Sequence, residues 1–168
     1  MILSTIALSL LVIQGEPPKP EKEHEWLKQF EGNWETSMTM GGQEEKGTET
    51  AKLKHGGLWL HMEVKMGAKE EFSGSGHLGY DPKSKKFQMA WVDSMSPRLQ
   101  ISEGTLDKAG KVLTLDTEMD MGAGPVKAKW RWESVDKETK KFSISSMSGD
   151  GMDAKEEEMI VVTYKRKK

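Results

Sequence analysis

The sequence predicts an all-β fold: an antiparallel up-and-down β-barrel of about ten strands, preceded by one short helix. Three observations carry that expectation. After residue 32 the apolar positions recur with period two rather than 3.6. The connections, such as HGG, DPKSKK, DKAGK and VDKETKK, are short and rich in turn formers. No helical pattern separates one such segment from the next, so successive strands are expected to pair as neighbours.

The first element is a leader. Residues 2–13 form an uncharged apolar run, too short to span a bilayer as a stable helix and of the length of a secretory h-region. Gly15 supplies the small residue that precedes a cleavage point, so residues 1–15 are expected to be a signal peptide and the protein to be exported, to the periplasm or outside the cell. Residues 16–22 read as a tether, and 23–168 as one barrel domain with no stable membrane span once the leader is cut. There is no cysteine, which excludes disulfides, lipoprotein acylation and thiol catalysis. With 25 basic and 27 acidic residues interspersed, the chain lacks the basic footprint of a nucleic-acid binder. The terminal YKRKK reads as a frayed, solvated strand end.

The helix is EHEWLKQF, where Trp26 and Phe30 lie four apart and share a face. The strands follow as NWETSMTM, TETAKLKH, LWLHMEVKM, EFSGSGHLGY, KFQMAWVDSM, RLQISEGTL, KVLTLDTEM, VKAKWRWESV, KFSISSM and EEEMIVVTYK. A half-buried strand turns its apolar residues to the core. This sends Leu58, Leu60, Met62, Val64 and Met66 inward, and His61, Glu63 and Lys65 outward. It also sends inward Trp34, Met38 and Met40, then Phe72, Leu78 and Tyr80, then Phe87, Met89 and Trp91, then Leu113 and Leu115, and finally Trp130 and Trp132.

FEGNW, with Gly32 two residues before Trp34 after a short helix, resembles the Gly-x-Trp opening of lipocalins and other calycins. The wider pattern is GGLWLHMEV, then GHLGYDPKSKKFQMAWVDSM, then EGTLDKAGKVLTL. It is similar to an uncharacterised bacterial calycin-like family, domain of unknown function 1579, over residues 23–165. The resemblance implies a closed or nearly closed lipocalin-like barrel. It implies no activity and carries over no functional residue, because fold does not fix function.

In an up-and-down barrel all connections after odd-numbered strands lie at one end. Near them fall Met38, Met40, Met66, Met95, Met119, Met121, Met147 and Met152, eight of the 12 methionines. The other end has none in its turns and receives the helix, where Trp26 and Phe30 could plug it. Methionine is flexible and polarizable and suits surfaces that repack around varied apolar shapes. A methionine-rich mouth is therefore expected to admit a small apolar or amphipathic ligand, bound by Met40, Met62, Met89, Trp91, Asp93, Met95, Met119 and Met121. In the alternative, the barrel is solidly filled and its rim meets a partner protein in an interaction or stress-protective role.

Two carboxylates have inward parity: Asp93 beyond Met89 and Trp91, and Glu103 beyond Leu99 and Ile101. Each must be hydrogen-bonded or neutralised. Asp93 either orients a ligand head group or binds indole and loop N–H groups, and Glu103 is expected opposite Met89. The two together could form a hydrolase pair, which two carboxylates alone do not establish. Gly74 and Gly76, also inward, either leave space for cargo or let the strand bend. Met38 with Met40 and Met119 with Met121 could offer thioethers to Cu(I). The string GSGHLG satisfies Gly-x-Gly-x-x-Gly but lies within a strand, where it cannot present a helix N-terminus to a pyrophosphate. His61 and His77 face outward on adjacent strands, as solvated histidines. No cofactor, metal site or catalytic residue is assigned, and the expected activity is binding rather than catalysis.

Overall fold

The structure is a computed structural model that describes residues 16–40, 43–120, 124–148 and 155–168. Its short helix α1 (Lys22–Leu27) runs into a 3-10 turn (Lys28–Phe30). Ten strands follow: β1 (Gly32–Met40), β2 (Gln43–Lys54), β3 (Trp59–Met66), β4 (Phe72–Asp81), β5 (Lys86–Asp93), β6 (Ser96–Leu106), β7 (Val112–Asp120), β8 (Pro125–Ser134), β9 (Thr139–Ser148) and β10 (Lys155–Arg166). Each pairs antiparallel with its chain neighbours, and β10 returns to β1 to close the barrel. The up-and-down topology expected from the hairpin-like links is therefore the one observed.

Alternation works as the period-two pattern requires. On β3, Leu60 and Met62 are fully buried and Val64 and Met66 nearly so, while Glu63 and Lys65 are exposed. Leu78, Phe87, Met89, Leu113, Leu115, Trp130 and Trp132 complete a continuous core. Burying one such side chain contributes about 1.5–3 kcal/mol, so this interior supplies most of the drive to fold.

β6 departs from the expected faces. Ser102 is buried, whereas Leu99 and Ile101 are 63% and 58% exposed. The β5–β6 register shifts between Trp91 and Asp93, after which Ser102 lies opposite Met89 and Glu103 opposite Gln88. Glu103 is thus on the outer wall, paired with Lys86. Parity read from apolar residues alone failed here because the strand carries its leucine and isoleucine outside.

The two ends of the barrel close differently. The β6–β7 ladder joins only residues 103–106 to 113–116, and the β1–β10 ladder only Trp34–Met38 to Val162–Arg166. Both lie toward the end where the helix docks. Toward the other end these two pairs of strands part, with Gln100 reaching across the first gap to donate to Thr117 Oγ1 and to the Glu118 carbonyl (2.7 Å).

The helix end is sealed. Leu27, Phe30 and Trp34 are buried, and Trp26 packs on Phe30 and Phe87 while its Nε1 donates to the Gly110 carbonyl at 2.9 Å. The C-terminal strand is not frayed as the basic tail suggested. Arg166 donates to the carbonyls of Glu31, Gln29 and Lys137 at 2.8, 3.1 and 3.0 Å and lies 4.1 Å over the Trp34 ring. This accounts for the Gly-x-Trp opening. Gly32 has φ +135°, a conformation side chains rarely adopt, and a Cβ there would strike the Arg166 guanidinium.

Candidate functional site

The end reached by the odd-numbered connections brings together part of the expected set. Met62 and Met89 lie in the packed floor, 0% and 2% exposed. Trp91 and Met119 are half-buried above them and pack against the core. The Trp130 indole N–H donates to Met119 Sδ at 3.3 Å. Met95 stands 77% exposed on the β5–β6 turn, away from the interior. The side chain of Met40, and Met121 and Met152 entirely, lie outside the described residues, so neither Met-x-Met pair can be assembled. Met147 lies opposite Lys127 and Glu156, on the outer wall.

Asp93 is held by its neighbours. Its Oδ2 accepts from Trp91 Nε1 at 3.0 Å and its Oδ1 from the Met95 amide at 2.8 Å. The Trp91 ring lies over the two inward glycines of β4: a Cβ on Gly74 would run into its benzene edge, and one on Gly76 would come within 2.7 Å of Cε3. The space those glycines leave is filled by this indole. Asp93 and Glu103, on opposite faces of the wall, do not form a carboxylate pair, so the hydrolase geometry fails. Ser102 Oγ, opposite Met89, is buried without a partner among the described residues.

The wall opens beside this end. Where β1 and β10 part, a depression of about 470 Å3 is lined by Ser37, Met38, Thr39, Glu44, Glu158, Met159, Ile160, Val161 and Thr163. Met38 and Ile160 are inward residues packed against the core, so the depression reaches side chains of the interior. β10 carries a bulge between Glu158 and Ile160, with Met159 the extra residue. Bulges re-aim side chains at barrel rims, and this one puts Glu158 on the outer lip.

A second polar centre was missed by the sequence reading. Glu49 and Lys140, 1% exposed each, form an ion pair inside the helix-sealed half. The ammonium sits among four rings, 4.5 Å from the centre of Trp34, 4.7 Å from Tyr164, and 5.4 and 5.6 Å from Phe30 and Trp132. Burial pushes the Glu49 carboxyl up and the Lys140 ammonium down, and each partner offsets the other's shift. Burial and the Glu49 charge also hold the Tyr164 hydroxyl well above its usual range. Glu49 Oε2, Thr36 Oγ1 and Trp132 Nε1 are buried without partners among the described residues. The signal for this centre was available. Glu49 shares the parity of Ala51 and Leu53, and Lys140 that of Phe142 and Ile144. Enclosed by the four rings, the pair is shut off from solvent.

On the outer wall, His61 and His77 face each other across β3 and β4 with ring centroids 4.5 Å apart. They line a depression of about 360 Å3 with Lys52, Lys54, His55 and Glu63. Among the described residues no cluster of three or more His, Asp or Glu side chains is disposed to hold a metal, and no helix is long and apolar enough to cross a membrane.

Residues 19–166 match the family described as "Protein of unknown function (DUF1579)". The chain belongs to that family. No curated protein matches it. Membership in DUF1579, together with the closed ten-stranded barrel, agrees with the resemblance seen in the Gly-x-Trp opening and the strand motifs that follow it.

Proposed function

We propose that this DUF1579 protein is a non-catalytic binder of a small apolar or amphipathic molecule, seated in the half of the barrel away from the helix. We propose also that residues 1–15 direct its export; N-terminal sequencing of the secreted product should then begin at Glu16. One observation carries the binding reading: the depression between β1 and β10 gives a molecule outside the barrel access to the inward side chains Met38 and Ile160. Pockets combine apolar walls with few placed polar groups, and this half offers Met119, Trp91 and Gln100 at partly exposed positions. The deep interior is not the seat, since Met62 and Met89 leave it no exposed surface.

Methyl-13C-methionine NMR with dodecyl maltoside below its micelle concentration tests the reading. Saturable shifts at Met38, Met66 and Met119 are expected, with Met95 unmoved. Absence of any shift at the inward methionines up to the highest submicellar probe concentration overturns it. The filled-barrel reading is favoured by the Trp91 indole over Gly74 and Gly76 and by the exposed Val92, Met95, Leu99 and Ile101. Under that reading a partner protein, not the detergent, would move the Met95 signal.

A further inference from the structure

We infer that the opening between β1 and β10 selects amphiphiles with a cationic head group, such as an alkylammonium; the inference rests on the binding reading above. The groove has an apolar floor of Met38, Met159 and Ile160 and a carboxylate on either side, Glu44 from β2 and Glu158 from β10. Between them, among the described residues, lie neutral groups, the hydroxyl side chains Ser37, Thr39 and Thr163 and the apolar Val161, and no described lysine or arginine lines it.

The surrounding charges reinforce the sign. β2 opens with Gln43, Glu44, Glu45 and Lys46, and β10 with Lys155, Glu156, Glu157 and Glu158. Lys46 reaches Glu44 at 3.5 Å across open surface, where the two side chains are 75% and 57% exposed. Such a contact is weak and easily exchanged. Glu156 is engaged by Arg131 on the outer wall. Glu158 makes no ion pair among the described residues. The bulge at Met159 matters for selectivity: were Met159 in regular alternation, Glu158 would share the inward face of Ile160.

An occupant must satisfy both features. A fatty acid would bring its carboxylate against two others, and a neutral head would leave them unused. An alkyl chain lying on Met38 and Ile160, with an ammonium between Glu44 and Glu158, uses the floor and both lips. The groove passes between the parted edges of β1 and β10 to inward side chains, which suits a single alkyl chain better than a polypeptide.

The test uses the full chain, methyl-13C-methionine NMR, and three twelve-carbon probes below their micelle concentrations: dodecyltrimethylammonium, dodecyl maltoside and laurate. The ammonium should bind roughly five-fold tighter than the maltoside, the worth of two half-exposed ion pairs, with its largest shifts at Met38 and Met159. Glu44→Gln combined with Glu158→Gln should bring the ammonium's affinity down to that of the maltoside, and added salt should weaken the ammonium alone. Laurate binding as tightly as the ammonium, or a double variant that keeps the preference, overturns the inference. If maltoside binds and the ammonium gains nothing, the inference falls and the binding reading survives; if no probe moves an inward methionine, both fall. Movement of Met38 and Met159 with protein concentration alone would mark a contact between copies and also overturn it.

Discussion

The two ends of this barrel use the same alternating strands to opposite effect. At the helix end every ladder is closed, four rings surround a buried charge, and Arg166 ties β10 to the carbonyls before β1. At the other end two strand pairs part, and inward side chains come within reach of solvent. A barrel sealed at one pole can leave its other pole open without losing its edges to aggregation, because the closed half already fixes every register. Stability is concentrated at the pole away from the proposed binding region.

The sharpest way to break this comparison is at the buried pair. Lys140→Met should cost about 3–5 kcal/mol, because it strands the Glu49 carboxylate in an apolar interior. Adding Glu49→Leu should recover most of the loss, since an apolar pair of similar volume is often as stable as a buried ion pair. Urea denaturation of the single and double variants checks both expectations. A single variant as stable as the parent would mean that the sealed half is hydrated and the contrast between the ends is unreal.

The architecture was legible because strand period, turn composition and parity all point the same way. Trp34, Met62 and Leu113 could be placed from spacing alone. The misreadings share one cause. Parity assigned from apolar residues assumes that a strand puts them inside. β6 breaks the assumption with exposed Leu99 and Ile101, so Glu103 was carried inward with them. The converse error hid Glu49 and Lys140, charged residues on apolar faces whose burial depends on partners from β2, β9 and the helix turn meeting in space. Nor could the linear pattern show where a ladder stops short. The opening at Met38 and Ile160 lies beside the bulge at Met159, which breaks the alternation within EEEMIVV.

The methionines sharpen the comparison at smaller cost. Met62→Ala should lose about 2–5 kcal/mol, since the residue is fully buried and leaves a cavity. Met95→Ala should change stability by no more than about 0.5 kcal/mol, as expected for a surface position. Thermal and urea unfolding distinguish them readily. Equal effects would show that burial at the floor and exposure at the turn do not describe the protein in solution.

The smallest effect concerns the outer wall, which belongs to neither pole. Burial, followed by the neighbouring His61 and His55, holds the His77 imidazole below its usual range. The unfolded chain therefore binds the proton at higher pH than the folded one. The contribution of His77 is fully present above about pH 6.5 and is lost as pH falls from there through the folded value. Lys52 and Lys54 face the same depression and oppose a new positive charge, while Glu63, 3.3 Å from His61 Nε2, works against them. Solvent screening limits the change to about 1 kcal/mol or less. His77→Gln should flatten the stability profile between pH 7 and pH 5 by that amount. A variant whose profile still falls like the parent's would assign the slope to other groups on the wall, with His61 the next to replace.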